Sequence, residues 1–185
     1  MPVAAHAHGT EGIRRAVAAG VTTIEHCSFV TETNERRFDE QLAAMLAEQG
    51  IFVCPTVNVN APYVAELTGM VVGEHLATLR DLGVRIIAGT DAGIDNTPHH
   101  QYAGGLEYLV KLGFRATDVI TMATTEAASA LGLGAVTGRL APGYEADLIV
   151  VHGDPLTDIA ALGQLQRVMA RGRDYVPDSG RFDVS

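Results

Sequence analysis

Three side chains of the kind that bind metal ions, His6, His26 and Asp91, each follow a short apolar or β-branched run. Such runs are typical of buried strands. A β/α barrel builds its active site from side chains at the carboxyl ends of its parallel strands. Imidazoles together with a carboxylate suit zinc and similar divalent ions. The pattern therefore predicts a site for a divalent metal ion, and it favours metal-dependent hydrolysis.

His8 lies two residues after His6, and two interpretations of this pair are open. If both residues are extended, their side chains face the same way and could chelate one ion. Alternatively, His6 ends the strand and His8 lies in the loop above it, closer to a substrate. Any one of these histidines alone is compatible with a structural role, so the prediction depends on their occurring together at one end of a sheet.

The first 113 residues alternate predicted strands and helices. Strands are predicted at residues 3–6, 22–26, 51–54 and 85–89, and helices at 11–19, 38–49, 61–82 and 102–112, with Thr10 capping the first helix. This alternation is typical of an α/β fold with a parallel sheet and right-handed crossovers. Four such strands make half of an eight-stranded barrel, although an open doubly wound sheet has the same local pattern.

The chain changes character after Arg115. Residues 118–131 are Ala-rich and predicted to be helical. Later strands are predicted at 147–151, 168–171 and 175–176, with Gly172 and Arg173 as a hairpin turn between the last two. We therefore divide the chain into residues 1–134, which carry the parallel unit, and residues 135–185, which carry a small antiparallel unit.

The composition excludes several classes of protein. The 185 residues are 47% hydrophobic and carry a formal net charge of −9, which indicates a globular chain and argues against a nucleic-acid partner. No apolar run approaches the roughly 18 residues of a membrane span, and no signal peptide is recognisable. A cytoplasmic protein is predicted. Cys27 and Cys54 are expected to be buried free thiols.

The sequence resembles the amidohydrolase superfamily, in its branch of Xaa-Pro dipeptidase (prolidase)-like and imidazolonepropionase-like enzymes. The motifs that carry the resemblance are HAHG from His6, IEH ending at His26, GTDAG around Asp91, and ADLIV from Ala146. The resemblance implies an α/β fold, the second half (about strands 5–8) of a metal-dependent-hydrolase TIM barrel. It also implies that the C-terminal strands belong to a small β-sandwich domain.

The resemblance also implies roles for individual residues. His6, His26 and Asp91 correspond to metal ligands, and Asp91 to the general base that takes a proton from the attacking water. His8 and His99 are expected to contact the substrate. The cofactor is one or two divalent ions, with zinc favoured, and the substrate is a small molecule or dipeptide with a carbon–nitrogen bond.

The family's histidine pair on the first strand and its bridging lysine on the fourth strand have no counterpart in this sequence. We therefore expect the chain to be the C-terminal half of a longer protein, to form a homo-oligomer through open sheet edges, and to hydrolyse little by itself. Alternatives are an inactive remnant or metal-binding module, and a deaminase or cyclic amide or lactone hydrolase of the same fold. A further alternative is an unrelated α/β protein with structural histidines.

Overall fold

A computed structural model describes residues 1–69 and 71–176, and these form two sheets. Four parallel strands lie side by side in chain order: β1 (Ala4–Gly9), β2 (Thr23–Val30), β3 (Phe52–Cys54) and β4 (Arg85–Ile86). The second sheet is antiparallel and contains β5 (Leu148–Val151), β6 (Leu165–Ala170) and β7 (Arg173–Tyr175). The predicted α/β class is therefore confirmed.

Helices connect and follow the parallel strands. They are α1 (Thr10–Ala19), α2 (Glu40–Glu48), α3 (Ala61–Thr68), α4 (Leu76–Asp81), α5 (Tyr102–Lys111), α6 (Ala116–Thr121) and α7 (Ala127–Ala130), with a π-helical turn at Met122–Glu126. Short 3₁₀ turns lie at His99–Gln101 and Ile159–Gly163. Among the described residues no helix has the length and apolar character needed to cross a membrane.

The two faces of the parallel sheet differ in chemistry. Ala5, Ile24, Val53 and Ile86 are neighbours across the four strands, and the last three are buried. They belong to a core that includes helix residues Ile13, Val17, Leu42 and Leu46. Because side chains alternate along a strand, the next residues point to the opposite face. His6, Glu25 and Cys54 are neighbours there, so polar groups line that face.

Several predicted elements differ from those observed. The strand predicted at 85–89 is shorter, because β4 covers only Arg85–Ile86. The predicted helix at 61–82 is divided, because α3 ends at Thr68 and the next residue, Gly69, has a left-handed φ of 70°. Strand β1 runs on to Gly9, since it pairs with the extended β2 as far as Val30. Thr10 is the first residue of α1 and not its cap. Its hydroxyl donates to the Val30 carbonyl, at 3.4 Å.

The small antiparallel unit contains the three predicted strands, but β6 begins at Leu165 and not at residue 168, and β7 begins at Arg173 and not at residue 175. The β6–β7 hairpin turns at Arg171 and Gly172, with φ of 51° and 73°, one residue earlier than predicted. Two left-handed residues are what a tight two-residue hairpin requires. Residues 177–185 of the predicted second unit lie outside the described residues, and the boundary at 134/135 stays a prediction.

Candidate metal centre

Three histidines meet at the polar face of the parallel sheet. His6 and His8 both lie within β1, and His26 lies on the neighbouring β2. Each offers one ring nitrogen, and these three atoms lie within 4.8 Å of one another. The rings of His6 and His26 are 4.5 Å apart, and those of His8 and His26 stack at 4.1 Å. His8 therefore extends from the same strand as His6, not from a loop above it.

Nitrogen spacing in the cluster is close to that of a metal site. His26 Nε2 lies 3.0 Å from His6 Nδ1. Two nitrogens on one tetrahedral zinc ion, each at about 2.0–2.1 Å, are about 3.3–3.4 Å apart. A small rotation of either ring supplies the difference. The donor set, imidazoles with a nearby carboxylate, is one that zinc accepts. The residues present therefore fit a divalent ion.

Hydroxyl groups orient two of the three rings. Thr56 Oγ1 lies 2.7 Å from His26 Nδ1, and Ser28 Oγ lies 3.0 Å from His8 Nδ1. When one ring nitrogen of a histidine is hydrogen-bonded, the other is fixed in direction and available to a metal. Thr56 thus aims Nε2 of His26 at His6.

Left-handed backbone recurs at the site. His26, Thr56 and Asp91 have φ of 69°, 52° and 58°. A left-handed backbone conformation costs about 1–3 kcal/mol for a residue other than glycine, and residues in this conformation concentrate at functional sites. His26 lies within β2, whereas Thr56 and Asp91 lie in the loops after β3 and β4, and all three residues line one pocket.

Burial and neighbouring charges favour the neutral form of two of the imidazoles. Burial lowers the pKa of His8 and His26 below the usual 6.5, and the neighbouring histidines lower the pKa of both further. The Asp91 carboxylate acts in the opposite direction on both rings. A neutral imidazole has a free lone pair, which metal binding requires.

Asp91 is exposed and lines a pocket of about 220 Å³ together with His8 and His26. It is not part of the three-histidine cluster defined above. Hydrogen bonds from the loop after β3 support its own loop: Asn58 Nδ2 donates to the Thr90 carbonyl at 3.2 Å, and Asn60 Nδ2 donates to Thr97 Oγ1 at 3.2 Å.

The remaining predicted residues lie outside this cluster. His99 is exposed and begins a 3₁₀ turn; a Cβ placed on Gly93 would approach its ring to 3.4 Å. Among the described residues, His99 is not one of those that line the pocket. Cys27 and Cys54 are buried free thiols, as predicted, and burial raises the pKa of each to about 12.

The sequence analysis missed several polar residues that line the pocket: Ser28, Arg36, Thr56, Asn58 and Glu74. Thr56 and Asn58 follow the third predicted strand as polar residues, which is the same signal that identified His26. Arg36 carries no such signal, because it lies in a polar loop that reaches the pocket only through tertiary structure.

Comparisons with known proteins extend over most of the chain. The sequence profile described as "Amidohydrolase family" matches residues 1–174. The chain is 32% identical to ochratoxinase from Aspergillus niger over 173 residues, which cover 85% of this chain and 34% of that protein. It is 33% identical to a 5-methylthioadenosine/S-adenosylhomocysteine deaminase from Symbiobacterium thermophilum over 138 residues, or 67% of this chain and 30% of the deaminase.

The fold of the chain also matches solved structures over most of its length. A Xaa-Pro dipeptidase with methionine bound in its active site superposes with a TM-score of 0.82 at 31% identity. The match covers 95% of this chain and 45% of the dipeptidase. The chain thus spans less than half the length of each of these three relatives.

Proposed function

The chain belongs to the amidohydrolase family, and we propose that it supplies part of the active site of a metal-dependent enzyme that hydrolyses carbon–nitrogen bonds. The resemblance inferred from the sequence is confirmed by the family match and by the dipeptidase structure. The observation that carries the proposal is the meeting of His6, His8 and His26 beside a pocket that Asp91 also lines.

For the fold, we infer that β1–β4 are the fifth to eighth strands of a TIM barrel and that β5–β7 belong to a β-sandwich domain. The unbroken parallel order of β1–β4 and the 45% coverage of the dipeptidase support this. Among the described residues β1 and β4 are the outer strands of the parallel sheet, and unpaired edges favour association. A homo-oligomer is therefore expected. A monodisperse monomer in light scattering at micromolar concentration would contradict it.

His6, His26 and Asp91 would hold the divalent ion, for which zinc is the proposed identity. When bound, such an ion lowers the pKa of a coordinated water towards 7 and polarises the scissile carbonyl. His8 is assigned to the substrate, as the family resemblance implies; it lines the pocket together with His26 and Asp91. If His8 is instead a third imidazole ligand, its replacement by Ala lowers metal affinity as strongly as that of His6.

Asp91 is the proposed general base. Its carboxylate accepts a proton from the attacking water and returns it to the leaving nitrogen, which a base within hydrogen-bond reach can do. Its exposure and its place in the lining of the pocket, beside His26, support this role. Asp91→Asn keeps the shape but loses the basicity.

The proposed substrates are small molecules or dipeptides. A pocket of about 220 Å³ suits groups of that size, and the dipeptidase relative holds methionine, a single amino acid. Deamination by the same site is the second candidate, favoured by the 33% identity to a deaminase. Release of ammonia without a second organic product would identify it.

A chimaera tests the proposal, because we expect little turnover from the chain alone. In it, this chain replaces the matching segment of the Xaa-Pro dipeptidase. A chimaera that folds and loads zinc should hydrolyse Xaa-Pro dipeptides, and Asp91→Asn should abolish turnover without removing the fold. His100→Ala, an exposed histidine outside the cluster, is the matched control.

Two results would contradict the proposal. A folded, zinc-loaded chimaera without turnover on peptides, amides or amines favours a metal-binding module. A folded chain that binds no zinc favours a protein in which the histidines are structural.

A further inference from the structure

Asp91 lies in a loop, residues 87–98, that connects β4 to the 3₁₀ turn at His99–Gln101. Its backbone is left-handed, with φ of 58°, and a residue other than glycine keeps this conformation only where the surrounding structure determines it. A backbone hydrogen bond from the Gly93 N–H to the Thr97 carbonyl, at 2.9 Å, closes the second half of the loop. The first half, which carries Asp91, is held by contacts from outside the loop.

The turn that follows β3 supplies these contacts. Asn58 Nδ2 donates to the Thr90 carbonyl at 3.2 Å, which fixes the peptide unit that precedes Asp91. Asn60 Nδ2 donates to Thr97 Oγ1 at 3.2 Å, and Thr97 is buried. The two asparagines are joined as well, because the Asn60 N–H donates to Asn58 Oδ1 at 2.9 Å. One turn therefore holds the loop on both sides of Asp91.

Helix α5 packs closely against the same turn. A Cβ placed on Gly105 would overlap the Val57 carbonyl oxygen, and it would lie 3.3 Å from both Asn58 Cα and Thr90 Cγ2. Gly105 is buried at this contact, and the absence of a Cβ is what permits so close an approach. Asn58 and Thr90 thus rest against one helix, which keeps the hydrogen bond between them in place.

We propose that Asn58, supported by Asn60, is a positioning residue that holds Asp91 where its carboxylate reaches both the ion and the attacking water. This rests on the proposed function of the site. Asp91 is exposed and lines the pocket beside His26, so its backbone has to limit where its carboxylate goes. Groups that orient metal ligands typically contribute about 10–100-fold in metal affinity. Asn58 acts on the backbone next to the ligand, so we expect about tenfold.

A double-mutant cycle on zinc affinity tests this inference, because it separates an effect that passes through Asp91 from a general loss of structure. Competition with a chromophoric chelator gives the zinc affinity of the full chain. Asn58→Leu removes the donor to Thr90 at similar volume and should weaken zinc binding about tenfold. In an Asp91→Ala background the loop no longer supplies a ligand, so the same substitution should change zinc affinity by less than about twofold.

Two further variants make the cycle secure. Thr56→Val acts through His26, so it is the matched control and should weaken zinc binding equally in both backgrounds. If Asn58→Leu does not fold, Asn58→Asp takes its place, since it keeps the shape and the acceptor for the Asn60 N–H but loses the donor. Its added charge acts in both backgrounds and cancels in the cycle. Copper(II), which binds such sites more tightly than zinc, serves as the probe if Asp91→Ala binds zinc too weakly.

An equal loss in the two backgrounds would overturn the inference, because Asn58 would then act without Asp91. Unchanged zinc affinity in a folded Asn58→Leu variant would overturn it as well. Both results leave zinc bound to the unmodified chain, so the proposed function survives them. A folded, unmodified chain that binds no zinc contradicts the proposed function itself, and this inference with it.

Discussion

Replacing Thr56 by Val should weaken zinc binding without unfolding the protein. The substitution removes the hydroxyl that lies 2.7 Å from His26 Nδ1. Valine has nearly the shape of threonine and the same branching at Cβ, so the backbone at φ 52° is equally strained before and after. The substitution therefore removes mainly the hydrogen bond between residue 56 and His26.

The expected loss is tenfold to a hundredfold in zinc affinity. Without Thr56 the His26 ring can rotate, and its Nε2 no longer points steadily at His6 Nδ1, which lies 3.0 Å away. Partners of metal-binding histidines typically contribute about 10–100-fold in affinity, which is about 1.4–2.7 kcal/mol.

Competition with a chromophoric chelator measures the affinity, and thermal melting of the metal-free protein checks the fold. Thr56→Ser keeps the hydroxyl and should stay within a few-fold of the unmodified chain. Ser28→Ala removes the equivalent contact to His8 and should change zinc affinity little, because His8 is assigned to the substrate. A folded Thr56→Val variant that binds zinc with unchanged affinity would refute the reasoning.

Two other predictions concern stability. Gly89→Ala should destabilise the fold by about 1–3 kcal/mol, the usual cost of overpacking, because the new Cβ would lie 2.5 Å from Cys54 Sγ. Gly12→Ala is the control: it lies in α1, its Cβ would have only a 3.6 Å contact, and it should stabilise the fold by about 0.5–1 kcal/mol. Equal urea midpoints for the two variants would show the packing argument wrong. Burial lowers the pKa of His75, so the unfolded chain takes up a proton first as pH falls below about 6.5, and the stability of the fold declines. The decline in unfolding free energy between pH 7.5 and 5.5, measured with urea, should be smaller for His75→Gln. An identical decline in the two proteins would count against a role for His75.

The order of the elements and the location of the histidines could be predicted from the periodicity of the sequence. Buried strands and the helices between them have strong patterns, so the parallel sheet and the meeting of His6 with His26 were predictable. Glycine signals were less reliable. Gly69 divides a predicted helix because it can adopt a left-handed conformation, which the surrounding helical pattern concealed.

The finer geometry of the site depends on contacts that sequence spacing does not encode. Thr56 meets His26 from thirty residues away, and Arg36 reaches the pocket through a loop held by Val71. The extension of β1 through His8 depends on pairing with β2 beyond His26, where the backbone is left-handed. A cytoplasmic location stays a prediction from the sequence.

X-ray absorption spectroscopy of the zinc-loaded chain tests the central claim most directly. The account predicts imidazole nitrogens at about 2.0–2.1 Å from zinc, with that signal reduced in His26→Ala and unchanged in His100→Ala. Absence of bound zinc, or sulfur scattering at about 2.3 Å from Cys27 or Cys54, would contradict it.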